Sequence, residues 1–188
     1  DKKRLSKRHG ATSVIEYERQ GFLREAMVNF LALLGWSPGD DRELFTRDEL
    51  VAAFALEGIS GGDAVFNPEK LEWFNNQHIM RLPAEALAQR IEPLMREAGT
   101  WDETFADGRR AWLLALIELL KPRAHRLQDF VAQSRPLATD AIDYDEAAVN
   151  KHLAPAGMRD HLTALREALA SLAAFDAASI EPAVRALA

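Results

Sequence analysis

Apolar residues in this chain return at the three- and four-residue intervals of a helix, and nowhere do they alternate for more than a few positions. α-Helix is therefore the regular element that the sequence supports, and the expected fold is mainly all-α. Leu23, Met27, Phe30, Leu31 and Leu34 form one stripe, Leu87, Ile91, Leu94 and Met95 another, and Trp112, Leu113, Leu116, Ile117 and Leu120 a third. Met158, Leu162, Leu165, Leu169 and Leu172 keep the same register near the C-terminus.

The ends of these stripes carry helix punctuation. Gly35 is read as a left-handed cap for the first, before Trp36-Ser-Pro-Gly39. Thr46-Arg-Asp-Glu49 has the spacing of a capping box, and the helix it opens places Leu50, Val51 and Phe54 on its apolar face. Asn67-Pro68 starts the next helix, Asn capping and Pro occupying the first turn, where its missing N–H is not needed. Leu82-Pro83 breaks the helical pattern and a new stripe begins at once, so a junction is placed there between domains 1–82 and 83–188. Pro93 is expected to kink or split its helix, and Pro122 to end the stripe of Trp112. Short helical patterns follow at 145–153 and 158–174; a last helix is expected with Ser179 as cap and Pro182 in its first turn. It has barely two turns before Ala188, so the second domain is expected to be truncated at its C-terminus.

Charge is unevenly placed. The formal net charge is -6, yet residues 1–30 carry seven Lys/Arg against four Asp/Glu, and residues 121–135 carry four against one. Two basic islands in an acidic background suit a polyanion touched at two separated places. The first island, Asp1 to Ala11, sets Lys2, Lys3, Arg4, Lys7 and Arg8 around Ser6, a collection of phosphate-binding donors. A solvated basic tail is the plainer reading of such a run. On and after the Asn67-Pro68 helix, Trp73, Asn75, Asn76, Gln77 and His78 put an aromatic ring beside amides and an imidazole, a mixture suited either to a ribose-phosphate backbone or to a core Trp with a polar last turn.

The first island settles between its two readings when its neighbours are read with it. Arg4-Leu5-Ser6-Lys7-Arg8, continuing through His9-Gly10-Ala11-Thr12-Ser13, resembles the Lys-Met-Ser-Lys-Ser loop of class I aminoacyl-tRNA synthetases in the form found in glutamyl-tRNA synthetases. The resemblance continues through Gly21-Phe-Leu-Arg-Glu-Ala-Met-Val-Asn-Phe-Leu-Ala-Leu-Leu-Gly-Trp-Ser-Pro38 and Phe66-Asn-Pro-Glu-Lys-Leu-Glu-Trp-Phe-Asn75 with the bacterial type's spacing. Arg4 stands where the family usually has its first lysine, and Arg8 replaces the final serine. The resemblance implies a stem-contact helical domain followed by a helical-bundle anticodon-binding domain of the α-helix cage kind. It implies that Arg4, Leu5, Ser6, Lys7 and Arg8 bind ATP, with Lys7 catalytic through neutralising the leaving pyrophosphate as glutamyl-adenylate forms. It also implies tRNA contacts from Lys70, Trp73 and Asn75, and an anticodon-reading arginine near Pro122, for which Arg123 is the candidate and Arg126 the alternate. Solvated helix-end charge is the plainer role for these two arginines. The implied partners are tRNA(Glu), ATP with Mg2+ and glutamate in a full-length, monomeric ligase. Charging of one tRNA or of two is left open.

Other chemistry finds little support. With no cysteine there is no thiolate metal site, disulfide or thiol nucleophile. His9, His78, His125, His152 and His161 show no i,i+4 pairing and no Glu at ligand spacing, so no metal site is expected. No Gly-x-Ser-x-Gly elbow or Walker-type loop occurs. The synthetase family's His-x-Gly-His motif is also absent, so this segment alone is expected not to activate glutamate. No apolar run approaches the roughly 18 residues of a membrane span, and a soluble cytoplasmic protein is expected. The alternative function is a non-catalytic helical module that binds tRNA or protein.

Overall fold

The computed structural model describes residues 13–62, 64–139 and 144–187. The Arg4–Arg8 motif lies outside them. Contacts divide the chain into two compact units, Asp1–Asp140 and Ala141–Ala188.

In the first unit, α1 (Val14–Arg19), α2 (Arg24–Leu33), α3 (Arg47–Ala53) and α4 (Pro68–Arg81) precede α5 (Ala84–Glu97), α6 (Arg110–Leu120) and α7 (Leu127–Ala138). Short 3-10 turns lie at Leu56–Gly58, Glu103–Ala106 and Lys121–Arg123. Among the described residues there is no strand, and the one β-like contact is an isolated antiparallel bridge between Trp36 and Ile59. The largest apolar cluster joins Leu23, Ala26 and Ile79 to Leu87, Ile91, Met95, Phe105, Leu113, Ile117 and Phe130, so the core is continuous across the Pro83 break. A second, aromatic cluster packs Phe22, Met27 and Phe30 of the α2 region against Leu71 and Phe74 of α4. Burial of each such side chain stabilises the fold by about 1.5–3 kcal/mol.

The capping box forms as the sequence predicts: Thr46 Oγ1 accepts from Glu49 N at 3.2 Å, and Glu49 Oε2 accepts from Thr46 N at 2.7 Å. Its helix buries Leu50 alone, however, because α3 ends at Ala53; Val51 and Phe54 are exposed. Asn67 caps α4 through Oδ1, with Pro68 in the first turn. Pro93 does not split α5, which stays helical from Ala84 to Glu97. Gly35 is not the left-handed residue. The chain passes from α2 directly to the Trp36 bridge, the Gly35 carbonyl accepts from Ser60 N at 2.9 Å, and the positive φ falls at Gly39.

In the second unit, α8 (Glu146–Ala148) runs into a π turn at Val149–Leu153, followed by α9 (Met158–Ala170) and α10 (Ala177–Arg185). The cap of α10 is Asp176 rather than Ser179, since the Asp176 carboxylate accepts from Ser179 N at 2.9 Å and sets the start three residues earlier. None of the described residues of this unit is buried, the Met158–Leu172 stripe included. Among the described residues of the chain, no helix is long and apolar enough to cross a membrane.

Candidate nucleic-acid interface

α4 is the element on which the candidate residues meet. Its inward face buries Leu71, Phe74, Asn75, His78 and Ile79, which turns Lys70, Trp73, Met80 and Arg81 outward. Trp73 is 41% exposed, its ring standing edge-on to Phe74 at 5.0 Å. It forms one wall of an open groove of about 440 Å³ lined also by Asp41, Arg42, Glu43, Leu44, Glu49 and Arg81. Lys70 sits one turn earlier, paired with Glu43 at 2.6 Å and lying 5.8 Å from the centre of the Phe74 ring. An exposed indole flanked by guanidinium and ammonium groups can stack on a base or lie along a sugar-phosphate backbone. The carboxylates of Asp41, Glu43 and Glu49 restrict where a phosphate can approach.

Asn75 has no such role. It is fully buried, and its amide is consumed by the fold: Oδ1 accepts from Leu23 N at 2.7 Å, while Nδ2 donates to the carbonyls of His125 at 2.6 Å and Gly21 at 3.3 Å. Direct contact between this side chain and tRNA is ruled out by its position, and Asn75 instead ties the α1–α2 corner to the turn before α7.

That turn carries both arginine candidates. Arg126 is half-buried, ion-paired with Glu72 of α4, and its guanidinium lies 4.8 Å from the centre of the Phe22 ring. Those contacts anchor the turn and leave Arg126 little freedom to reach a base. Arg123 is exposed, and no ion pair to its side chain is formed among the described residues. Its neighbour Lys121 is 5% exposed and paired with Glu118 at 2.6 Å, so the second basic island presents less charge than its composition suggests.

Two polar features were not anticipated. Asn29, buried on α2, accepts through Oδ1 from Phe45 N at 2.9 Å and meets His78 Nε2 at 3.0 Å, while its Nδ2 donates to the Glu43 carbonyl at 2.9 Å. The acceptor character of Asn29 Oδ1 requires that His78 Nε2 carry the proton. Burial, and then the Arg81 charge, push the His78 pKa below its ordinary value, against the opposing pull of Glu25. The second feature is Asn76, whose Nδ2 donates to the Ala124 carbonyl at 2.8 Å. Two consecutive asparagines inside a helix, Asn75 and Asn76, disfavour that helix unless their amides are engaged elsewhere, and this was the available sequence signal for Asn76.

Comparison with known proteins places this arrangement. Residues 86–188 match a family model described as an anticodon binding domain, and residues 1–73 match one described as the catalytic domain of class I tRNA synthetases (E and Q). The class to which these two matches point is the class I aminoacyl-tRNA synthetases. Glutamate–tRNA ligase 2 of Koribacter versatilis is 44% identical over 100% of this chain and 39% of its own length; glutamate–tRNA ligase of Desulforudis audaxviator is 39% identical over 93% and 35%. The crystal structure of a glutamate tRNA ligase from Elizabethkingia meningosepticum in complex with its amino acid superposes with a TM-score of 0.77 at 29% identity, covering 98% of this chain and 35% of that one. The chain belongs to the glutamate–tRNA ligase family. It spans 35–39% of the length of these curated relatives.

Proposed function

We propose that this chain is the tRNA-holding part of a ligase that attaches glutamate to tRNA(Glu) with ATP, through glutamyl-adenylate. Residues 1–82 supply the catalytic loop and the stem contacts, and residues 83–188 supply anticodon contacts. Lys7 neutralises charge growing on the leaving pyrophosphate, with Arg4, Leu5, Ser6 and Arg8 joining it in binding ATP; the match of residues 1–73 to the class I catalytic family supports this. Lys70 and Trp73 meet the tRNA backbone from the outer face of α4.

The observation that carries the reading is Arg123: an exposed guanidinium without an ion pair among the described residues, on a turn whose backbone is fixed, inside the segment matched to the anticodon-binding family. A guanidinium's planar fork pairs with a base edge in a way that an ammonium does not. The test is binding of this chain to tRNA(Glu) transcripts that differ at the third anticodon base. Arg123→Lys is expected to reduce discrimination among them by about 1–3 kcal/mol. Equal weakening for every transcript would make Arg123 a phosphate contact, and no change would remove it from the interface.

A further inference from the structure

The turn that carries Arg123 is held through several of its backbone groups. The Arg123 carbonyl accepts from Gln133 Nε2 at 3.4 Å, that of Ala124 from Asn76 Nδ2 at 2.8 Å, and that of His125 from Asn75 Nδ2 at 2.6 Å. The Ala124 N–H donates to the Lys121 carbonyl at 3.2 Å, and the N–H groups of His125 and Arg126 both donate to Asp129 Oδ2, at 2.7 and 2.9 Å. Arg126 adds its ion pair to Glu72. Glu72, Asn75 and Asn76 are spaced i, i+3, i+4 on α4, so one helix face grips the turn from one side while α7 grips it from the other. The backbone is over-determined, but the Arg123 side chain is exposed.

Fixing a recognition side chain's backbone before binding reduces the conformational entropy lost on binding, and it fixes the angle at which the guanidinium meets its target. Asn75 cannot be dedicated to this, because it also supports the α1–α2 corner. Asn76 can. Besides the Ala124 carbonyl, its side chain bonds the adjacent Gln77, whose Nε2 donates to Asn76 Oδ1 at 3.4 Å and so orients Nδ2 toward the turn. We infer that Asn76 is a positioning residue for tRNA recognition, acting through Arg123 by holding the Ala124 carbonyl. This inference rests on the proposed role of Arg123 in contacting tRNA.

The experiment is a double-mutant cycle on the whole 188-residue chain, with Asn76→Ala, Arg123→Ala and the double variant, reading affinity for tRNA(Glu) transcripts carrying each third anticodon base. Asn76→Asp, which keeps size but removes the donor, is measured in parallel, and thermal melting checks that each variant is folded. Asn76→Ala and Asn76→Asp are each expected to weaken binding about tenfold when Arg123 is present and to have no effect when it is alanine. A purely structural role would not depend on Arg123, so equal weakening in both backgrounds, or none in either, overturns the inference. Base reading is judged separately, by whether the loss in Arg123→Ala differs among transcripts; coupling without base dependence rejects base reading and leaves the positioning role in place. A wild-type chain that binds none of the transcripts overturns both.

Discussion

Gly21 and Asn75 show how much of this fold turns on single positions. Gly21 is buried with φ +85°, and a Cβ built there would lie 1.7 Å from Gln128 Oε1 and 2.8 Å from the Leu127 backbone nitrogen. Gln128 could swing aside, but the Leu127 nitrogen donates to the Gly21 carbonyl at 3.1 Å and has no room to retreat. Gly21→Ala is therefore expected to destabilise the chain by at least about 1–2 kcal/mol from backbone strain alone. A melting experiment would read each kcal/mol as a fall of roughly 2–4 °C. Asn75→Ala leaves the buried Leu23 N–H unsatisfied and removes the donor to the part-buried His125 carbonyl; Gly21 O keeps Leu127 as donor. The expected loss is about 2–4 kcal/mol in denaturant titration. For Trp73 the sequence left a core and a surface placement open, and the structure puts the ring on the surface. The role of Asn75 was not legible, since its partners lie 50, 52 and 54 residues away.

Among elements, the contact of α2 with α4 has an unusual polar component. Aromatic packing of Phe30 on Phe74, with ring centres 5.9 Å apart, surrounds the buried Asn29–His78 link that also holds the 43–45 segment. Arg81, three residues further along in the last turn of α4, and Glu25 on α2 are the charges acting on His78. A histidine whose folded pKa is lowered binds fewer protons folded than unfolded below its ordinary value of 6.5. Its contribution to stability is thus complete above that pH and is lost progressively as the pH falls through the window toward the lower, folded value. Melting temperature is expected to be flat from pH 8 to about 7 and to decline toward pH 5.5, with the decline shallower in His78→Asn. A wild-type profile no steeper than that of the variant would show that His78 does not titrate this way. Local chemistry predicted the Thr46 and Asn67 starts correctly because caps act within four residues. It misplaced the α10 start because both Asp176 and Ser179 are competent caps, and it misassigned Gly35 because the following bridge to Ile59 is a nonlocal contact.

At the scale of the molecule, the two units differ in how they are stabilised. The Asp1–Asp140 unit has a continuous core, whereas the Ala141–Ala188 unit has no buried residue among those described, even though α9 and α10 carry apolar stripes. Helices without a buried face rely mainly on their own propensity, which is marginal at this length. Amide hydrogen exchange of the intact chain is expected to be slow in α4–α7 and much faster in α9 and α10; comparable protection in both units would contradict this. The sequence by itself determined the helical class, most helix starts and the family resemblance, because periodicity, caps and motifs are properties of adjacent or regularly spaced residues. Tertiary structure alone decided that Asn75 is interior, that Arg126 is tied to Glu72, that Val51 and Phe54 stay exposed and that Arg123 stands on a braced turn. Each of these depends on which distant backbone group or ring a side chain meets, and helical periodicity specifies a residue's face without specifying what lies opposite it.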